Sequence, residues 1–334
     1  MKRLIVCLSL LSILFFVSAC SSGSAADEEV KIMRLANATP DDRSLSKAMH
    51  LFEERLEEET NGSIDVEVFS NSVIGGDREI FEGLQLNTVQ GASMSTGPIA
   101  QFADEFNVMD LPFLFANEEE AYRVLDGEVG ERLLDELDAQ NVVGLNYWEN
   151  GFRLLSNNVR EVQTVEDVKG IDIRTLENEW HMNLWSSLGA NPTPMNYGEL
   201  YIGLEQGTVD AQENPAGNVV NSHFYEVQDY LTVTNHIYNA SPFMVSKPFW
   251  ESLTEEEKSA VKRIADEVQQ EQRQMNQQEQ EESFAFLKDK GMKITELSEE
   301  EMNRFREETQ QVRDSYKAEY GDEWLKQIEA EATK

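Results

Sequence analysis

The sequence predicts an α/β fold, and three observations carry that expectation. Strand-like segments of alternating polarity recur between helix-like stripes along most of the chain. Hydrophobic residues make up 40% of 334 positions, enough to pack a core. A capping box at Thr254–Glu257 opens a helix that runs to about Asp289. Its 35 residues would span ~52 Å at 1.5 Å each, longer than one α/β domain of this size.

Before the first strand lies a leader. Met1 to Ala19 has a basic start at Lys2 and Arg3, an apolar run from Leu4 to Val17, and small residues. That pattern reads as a secretory signal, too short for a transmembrane helix. Val17-Ser18-Ala19-Cys20 looks like a bacterial lipobox in which Cys20 is lipidated and becomes the new N-terminus. Residues 20–28 then form a lipidated tether, with Ser21 to Ala26 as spacer. Cys7 lies inside the signal, so the mature chain has one cysteine and no intramolecular disulfide.

Val30 to Ala36 alternates like a strand. Ser44 to Glu59 carries Leu45, Ala48, Met49, Phe52 and Leu56 on one helical stripe, and Thr60-Asn61-Gly62 ends it. Ile64 to Phe69 alternates again. Gly75-Gly76-Asp77 is a turn, with Asp77 as N-cap of a helix over Arg78 to Leu86. Val89 to Met94 reads as strand, 118–125 and 128–140 as helices, and Val142 to Trp148 as strand.

The alternation continues past Gly151. Thr164 and Asp167 start a short helix that Gly170 stops. In Ile171-Asp172-Ile173-Arg174 the isoleucines face one way, and Asp172 and Arg174 the other. Helices fit 179–188 and 197–205, and Val209 to Gln212 is a strand leading into Asn214-Pro215. The middle of the long helix, 269–282, is almost wholly polar and is expected to bridge domains along a solvated face. Ile294 to Leu297 is a last strand. Ser298 and Glu301 cap the final helices, which carry Phe305, Tyr316 and Trp324.

Charge excludes several functions. Loss of Lys2 and Arg3 with the signal leaves 26 basic against 63 acidic residues, a net charge of about −37. Nucleic acid and anionic lipid surfaces are therefore poor partners. The four histidines are scattered without metal-ligand spacing, and no nucleophile elbow, phosphate-binding loop or dinucleotide fingerprint occurs. No cofactor and no metal are expected. In so acidic a chain, Arg153 and Arg174 stand out among apolar neighbours. A guanidinium fits a carboxylate bidentately, so the stretch from Trp148 to Pro215 reads as the floor of a pocket for a small organic acid.

Five ordered segments carry a resemblance: Asn146 to Arg153, Val168 to Arg174, Gly189 to Met195, Gly207 to Pro215, and Thr234 to Tyr238. With Thr60-Asn61-Gly62, the Gly75 to Glu79 turn and Asp110-Leu111-Pro112-Phe113, they closely resemble the DctP family, the solute-binding proteins of TRAP (tripartite ATP-independent periplasmic) transporters. The resemblance spans essentially the whole mature chain and implies no catalysis. It implies a two-domain periplasmic-binding-protein-like fold with a hinge, a long domain-spanning helix, and closure over the ligand. We accordingly expect 29–150 plus about 240–279 as one domain, and 151–239 plus about 280–334 as the other.

By the same resemblance Arg174 pairs with the ligand carboxylate, Arg153 adds a second contact, Asn214 lies close by, and Tyr197 packs on the ligand. From the residues alone, either arginine could instead pair with an internal acid, Asn214 could only shape its turn, and Tyr197 could be core. Glu177 stands where some relatives place an asparagine that reaches the ligand, and Ser95 where some use a glutamate. These two positions disfavour sialic acid-like ligands and fit a dicarboxylate, hydroxy acid or sugar acid. The partners implied are that acid, the TRAP membrane subunits, and a membrane surface held through lipid. An ABC-type receptor, a ligand-sensing partner of a membrane kinase, and an exported hydrolase are the competing readings.

Overall fold

The structure is a computed structural model that describes residues 30–334; the expected signal, Cys20 and the tether lie outside the described residues. The chain begins β1 (Lys31–Ala36), α1 (Ser44–Glu59), β2 (Ile64–Phe69), α2 (Asp77–Gln85), β3 (Gly91–Ser93), α3 (Thr96–Ile99), α4 (Glu118–Leu125) and α5 (Glu128–Glu136). It continues β4 (Val142–Phe152), β5 (Leu154–Asn157), β6 (Asp172–Thr175), α6 (Glu179–Ser187), β7 (Asn191–Pro194), α7 (Leu200–Glu205), β8 (Ala211–Asn214) and α8 (Ala216–Asn221). It ends β9 (Tyr230–Val233), β10 (Tyr238–Ser246), α9 (Lys247–Ser252), α10 (Glu255–Asp289), β11 (Lys293–Glu296), α11 (Glu299–Tyr320) and α12 (Glu323–Ala332).

These strands form two sheets. One has the order β2-β1-β3-β10-β4, the other β11-β9-β5-β8-β6-β7. In the first, β1 runs parallel to β2 and β3, while β10 is antiparallel to β3 and β4. Alternation set β2 correctly: Ile64 and Val66 are buried, Asp65 and Glu67 exposed. The stripe read on α1 is its buried face, packed with Val261, Ile264 and Val268 of α10. The second sheet is covered by two smaller apolar clusters, one around Trp185 and one around Leu204 and Phe224.

The chain passes between the sheets at narrow points. Arg153 alone separates β4 from β5, and residues 234–237 separate β9 from β10. The third tie is α10, which packs on α1 and β4 at one end and on α8 further along. Its polar middle corrects the expectation of a solvated face. Gln269, Gln272, Arg273 and Asn276 are buried. β4 is an edge strand, and the helix satisfies it with side-chain amides. Gln272 accepts from the Glu149 N–H and donates to the Glu149 carbonyl, both at 2.7 Å. Gln269 and Arg273 both donate to the Tyr147 carbonyl. Buried backbone groups need partners, and here a helix supplies what a sixth strand would.

Several elements were not legible. β10 contains Pro242 and is buried along its whole length, so it shows no alternation. β7 reads Asn-Pro-Thr-Pro and lies at a sheet edge, the one place where prolines cost no ladder bonds. β5 and β9 are four residues each. The tail also divides differently from the expected 280–334 block. β11 joins the second sheet, but α12 packs Leu325, Ile328 and Ala332 against α4 and α5 of the first unit.

The turn from α4 to α5 is close-packed. A Cβ added at Gly130 would fall 2.0 Å from the Leu125 carbonyl oxygen, a backbone atom with no side chain to swing aside. Gly130→Ala should therefore destabilise the protein by about 1–3 kcal/mol, the usual range for overpacking. Urea unfolding with an unchanged midpoint would contradict this close approach.

Candidate functional site

The candidate residues converge where the two sheets meet. Arg153 sits at the β4–β5 crossing, and its backbone N–H donates to the Ile237 carbonyl on the neighbouring crossing at 2.9 Å. Its guanidinium is fully buried and is claimed by the protein itself. Glu213 on β8 accepts from Nε through Oε2 at 2.5 Å and from Nη2 through Oε1 at 2.9 Å, and its carbonyl also accepts from Nη2. Nη2 further donates to Asn214 Oδ1 at 3.1 Å, and Nη1 donates to Asn239 Oδ1 at 3.0 Å. Of five guanidinium N–H groups, only one on Nη1 is left over. The internal acid considered for either arginine exists, and it belongs to Arg153.

Glu213 is more than a counter-ion. His236 Nε2 lies 3.0 Å from its Oε2, and His181 Nδ1 lies 3.5 Å from its Oε1. His181 Nε2 reaches Asp110 Oδ1 at 2.7 Å. Burial pushes the Glu213 carboxyl up, but Arg153 and His181 outweigh it and hold it well below the usual range. Burial pushes His181 down, and Glu213 and Asp110 reverse that to favour the imidazolium. The His236 pKa is lowered, chiefly by burial, which favours the neutral imidazole.

Arg174 is placed differently. It sits on β6, opposite Thr193 of β7 and Gln212 of β8, and is 1% exposed. Nε and Nη2 both donate to the Met195 carbonyl, at 2.8 and 2.6 Å. Nη1 is buried with no partner among the described residues. Burial lowers the guanidinium pKa to about 10, against the opposing pull of Glu213. The Tyr197 ring centroid lies 5.9 Å from the guanidinium carbon, and the Tyr197 hydroxyl is 2.6 Å from Ser222 Oγ and accepts from Asn218 Nδ2 at 3.0 Å.

The remaining candidates meet this centre less directly. Asn214 accepts from Arg153 and donates to Gln212 Oε1 at 2.6 Å, so it braces the pair. Ser95, at the N-terminus of α3, donates to Asn239 Oδ1 at 2.9 Å. That oxygen also accepts from Asn150 and Arg153, while Asn239 Nδ2 is buried without a partner. Glu177, on the β6–α6 link, is half-buried, and its carbonyl accepts from Gln101 Nε2 at 2.7 Å. Among the described residues its carboxylate makes no hydrogen bond.

Sequence reasoning missed Glu213, Asn239, His181, His236, Asp110 and Asp77. Glu213 and Asp110 lay within motifs already singled out, but as two acids among 63 they carried no signal of burial. Asp77 corrects an assignment. Gly76 is the N-cap of α2 and Asp77 the first helical residue, so the Asp77 carboxylate caps nothing. Burial raises its pKa to about 7; Arg174 and Arg153 pull it down, while Glu177 and Glu79 push it up.

The two units touch across this seam. Asn178 Nδ2 donates to the Gly97 carbonyl at 3.2 Å and to Asn107 Oδ1 at 3.3 Å. A Cβ at Gly76 would lie 1.9 Å from Asn196 Nδ2. An outer cavity of about 580 Å³ runs along the seam beside Tyr197 and Ser222, with Ala38 and Asn71 on the other wall. Among the described residues no group of three or more His, Cys, Asp or Glu is arranged to hold a metal ion. No described helix is long and apolar enough to cross a membrane.

The two sheets, the narrow crossings between them and the shared helix α10 form one α/β frame with a buried arginine at its seam. Residues 35–319 match the family of bacterial extracellular solute-binding proteins, family 7, called DctP, and the chain belongs to it. The chain is 38% identical to the sugar acid binding protein of Advenella mimigardefordensis, solved with galactonate, at a TM-score of 0.89 over 91% of this chain and 98% of that one. It is 33% identical to a TRAP periplasmic solute-binding protein of Polaromonas bound to D-erythronate, at a TM-score of 0.87 over 90% and 98%. It is also 32% identical to the C4-dicarboxylate-binding periplasmic protein of Rhodobacter capsulatus, over 90% of each chain. The protein is thus a TRAP-type solute-binding receptor with the two-domain fold of that class.

Glu213 carries the internal charge balance of the seam. Glu213→Gln keeps the shape but strands Arg153 without its counter-charge. It should cost about 3–5 kcal/mol of stability, the scale for breaking one side of a buried pair. A denaturant midpoint equal to that of the unaltered protein would refute the pairing.

Proposed function

We propose that this receptor captures a small organic acid through a carboxylate paired with Arg174, and that its two units close over that acid. The observation that carries the reading is Arg174 itself, a guanidinium 1% exposed whose Nη1 has no partner. A buried cation left in that state is costly, and an incoming carboxylate supplies both the charge and the acceptor. Asn239 Nδ2 is a second buried donor awaiting an acceptor. Arg153 contributes by its one spare N–H, and Asn214, Ser95 and Asn239 hold it in place. Tyr197 lines the approach.

Closure follows the narrow crossings at Arg153 and residues 234–237, which leave few torsions between the units. The proteins it resembles bind galactonate, D-erythronate, C4-dicarboxylates and succinate, all acids of this size. We assign the same broad class here, delivered to TRAP membrane subunits without chemical change. Export by the leader and anchoring through a lipid on Cys20 complete the reading.

Arg174→Ala should weaken binding of an acid found by thermal-shift screening by roughly 2–5 kcal/mol in calorimetry. Unchanged affinity would remove Arg174 from the site, and turnover of the acid by purified protein would refute a receptor role. Cys20→Ser should abolish incorporation of labelled fatty acid in cells; persistent label would place the anchor elsewhere.

A further inference from the structure

Glu279 lies on α10, the helix that packs on both units, and its two carboxylate oxygens face different ones. Oε2 accepts from Arg43 Nη1 and from the Ser44 N–H at 3.2 Å, both in the first unit. Oε1 accepts from Asn221 Nδ2 at 2.9 Å, at the end of α8 in the second. The next residue repeats the tie, since Gln280 Oε1 accepts from the Gly217 N–H of α8 at 3.3 Å.

Arg43 is fully buried, and its two terminal nitrogens divide between the units. Nη2 is held inside the first unit by Asn150, whose Oδ1 accepts at 2.8 Å and whose carbonyl accepts at 3.2 Å. Nη1 is where the second unit arrives. A Cβ added at Gly217 would lie 1.9 Å from Nη1, 2.9 Å from Cζ and 3.2 Å from the Glu279 carboxyl carbon. Gly217 is not among the glycines with positive φ, and glycine is a poor helix former. Its use here is room: α8 comes down on the ion pair because no side chain intervenes.

This contact is built to part without stranding a charge. An outer cavity of about 420 Å³ borders it, with Ser44 and Lys47 on one wall and Val220 and Asn221 on the other. When α8 withdraws, solvent reaches the pair from that side, and no buried charge is left uncompensated. The same helix carries Asn218, which donates to the Tyr197 hydroxyl at 3.0 Å, so α8 joins this contact to the approach of the candidate site. On the reading above, closure without ligand buries Arg174 with Nη1 unpaired, which opposes closure. The Glu279 contact acts in the other direction.

We propose that Glu279 is a clasp: it joins Arg43 and Ser44 to Asn221, with Gly217 seated on Arg43, stabilises the closed form, and so sets how long a bound acid stays. The proposal rests on the closure reading above. It gives a conformational role to residues that lie outside the candidate site.

The test reads a distance and a dissociation rate. Val73, on the loop before α2, and Ile202, on α7, are 71% and 50% exposed. A Cβ at Gly198 would lie 3.3 Å from Ser72 Oγ, so the two positions flank the seam. Spin labels are placed by Val73→Cys and Ile202→Cys in a chain with Cys7→Ser and Cys20→Ser, which leaves no other cysteine. Double electron–electron resonance then gives the label separation with and without a mixture of galactonate, D-erythronate and succinate. Gly217→Ala drives a methyl onto Nη1, and Asn221→Ala cuts the tie to the second unit; both keep Arg43 and Glu279. Each should lower the fraction of closed molecules and speed dissociation of the bound acid about 10-fold in stopped flow, with association little changed. A merely structural role would lower the thermal midpoint and leave the proportion of closed molecules as it was. Variants with the closed fraction and dissociation rate of the unaltered protein overturn the clasp. If the unaltered receptor shows one separation with and without the acids, the closure reading falls and the clasp falls with it. If it shows two and neither variant shifts their proportions, only the clasp falls. Arg174→Ala should lose binding that both clasp variants retain, and it tests the carboxylate pairing separately.

Discussion

The site depends on which arginine Glu213 holds. With two guanidinium groups near one buried carboxylate, a protein could satisfy either. Here Glu213 takes Arg153 through both carboxylate oxygens and its own carbonyl. The pair is braced by Asn214 and Asn239, and a buried ion pair is tolerable only with its lone pairs and protons so engaged. Because Glu213 is consumed, Arg174 keeps an open Nη1. Had Glu213 turned to Arg174, that guanidinium would have been satisfied within the protein. The pair also sits where β4 passes into β5, so the same contact that frees Arg174 fixes the crossing between the units.

A second polar system does comparable work along α10. Long amphipathic helices bury apolar stripes, and the first turns of α10 do so with Val261, Ile264 and Val268. Further on, the buried face becomes Gln269, Gln272, Arg273 and Asn276. These side chains hydrogen-bond the free edge of β4 and, through Asn276, reach Ser44 and Arg43. Arg43 in turn pairs with Glu279 and lies against Gly217, where a Cβ would fall 1.9 Å from its Nη1. Since Gly217 belongs to α8 and Arg43 to the approach of α1, this cluster is a further bridge between the units. Polar bridges suit a seam for which closure and opening are proposed. Separated amides and charges are rehydrated, whereas separated apolar faces would not be.

That use of polarity also marks how far the sequence could be read. Periodicity located α1 and β2, because their burial follows spacing, and a capping box located the start of α10. It failed for the middle of α10, since amides in a run read as solvent-facing unless the unpaired strand edge beside them is known. It failed for β10, whose neighbours on both sides bury all its residues. In the candidate site, Arg174 drew attention because a cation alternating with isoleucines on a strand needs a reason. Glu213 was not, because its role comes from contacts with Arg153, His181 and His236, residues 60, 32 and 23 positions away. Asp77 was misread for a related reason. Local rules offer an Asp in a Gly-Gly-Asp turn a capping role, and only the approach of the second unit gives it another surface.

The acidic surface is compatible with the organic acid proposed as ligand once distance is considered. The chain carries a formal charge of −35, which repels an organic acid in bulk solution. Beyond about 8 Å that repulsion is screened at physiological ionic strength, so it acts mainly on encounter at the mouth of the cleft. Inside, the relevant charges are few and close. Arg174 is shielded from the surface acids by its burial, and its field is strengthened by the low dielectric around it. On the proposed reading, affinity is set by the seam and approach by the surface. On that reading the two can be tuned separately, since surface acids lie beyond the screening distance from the buried groups.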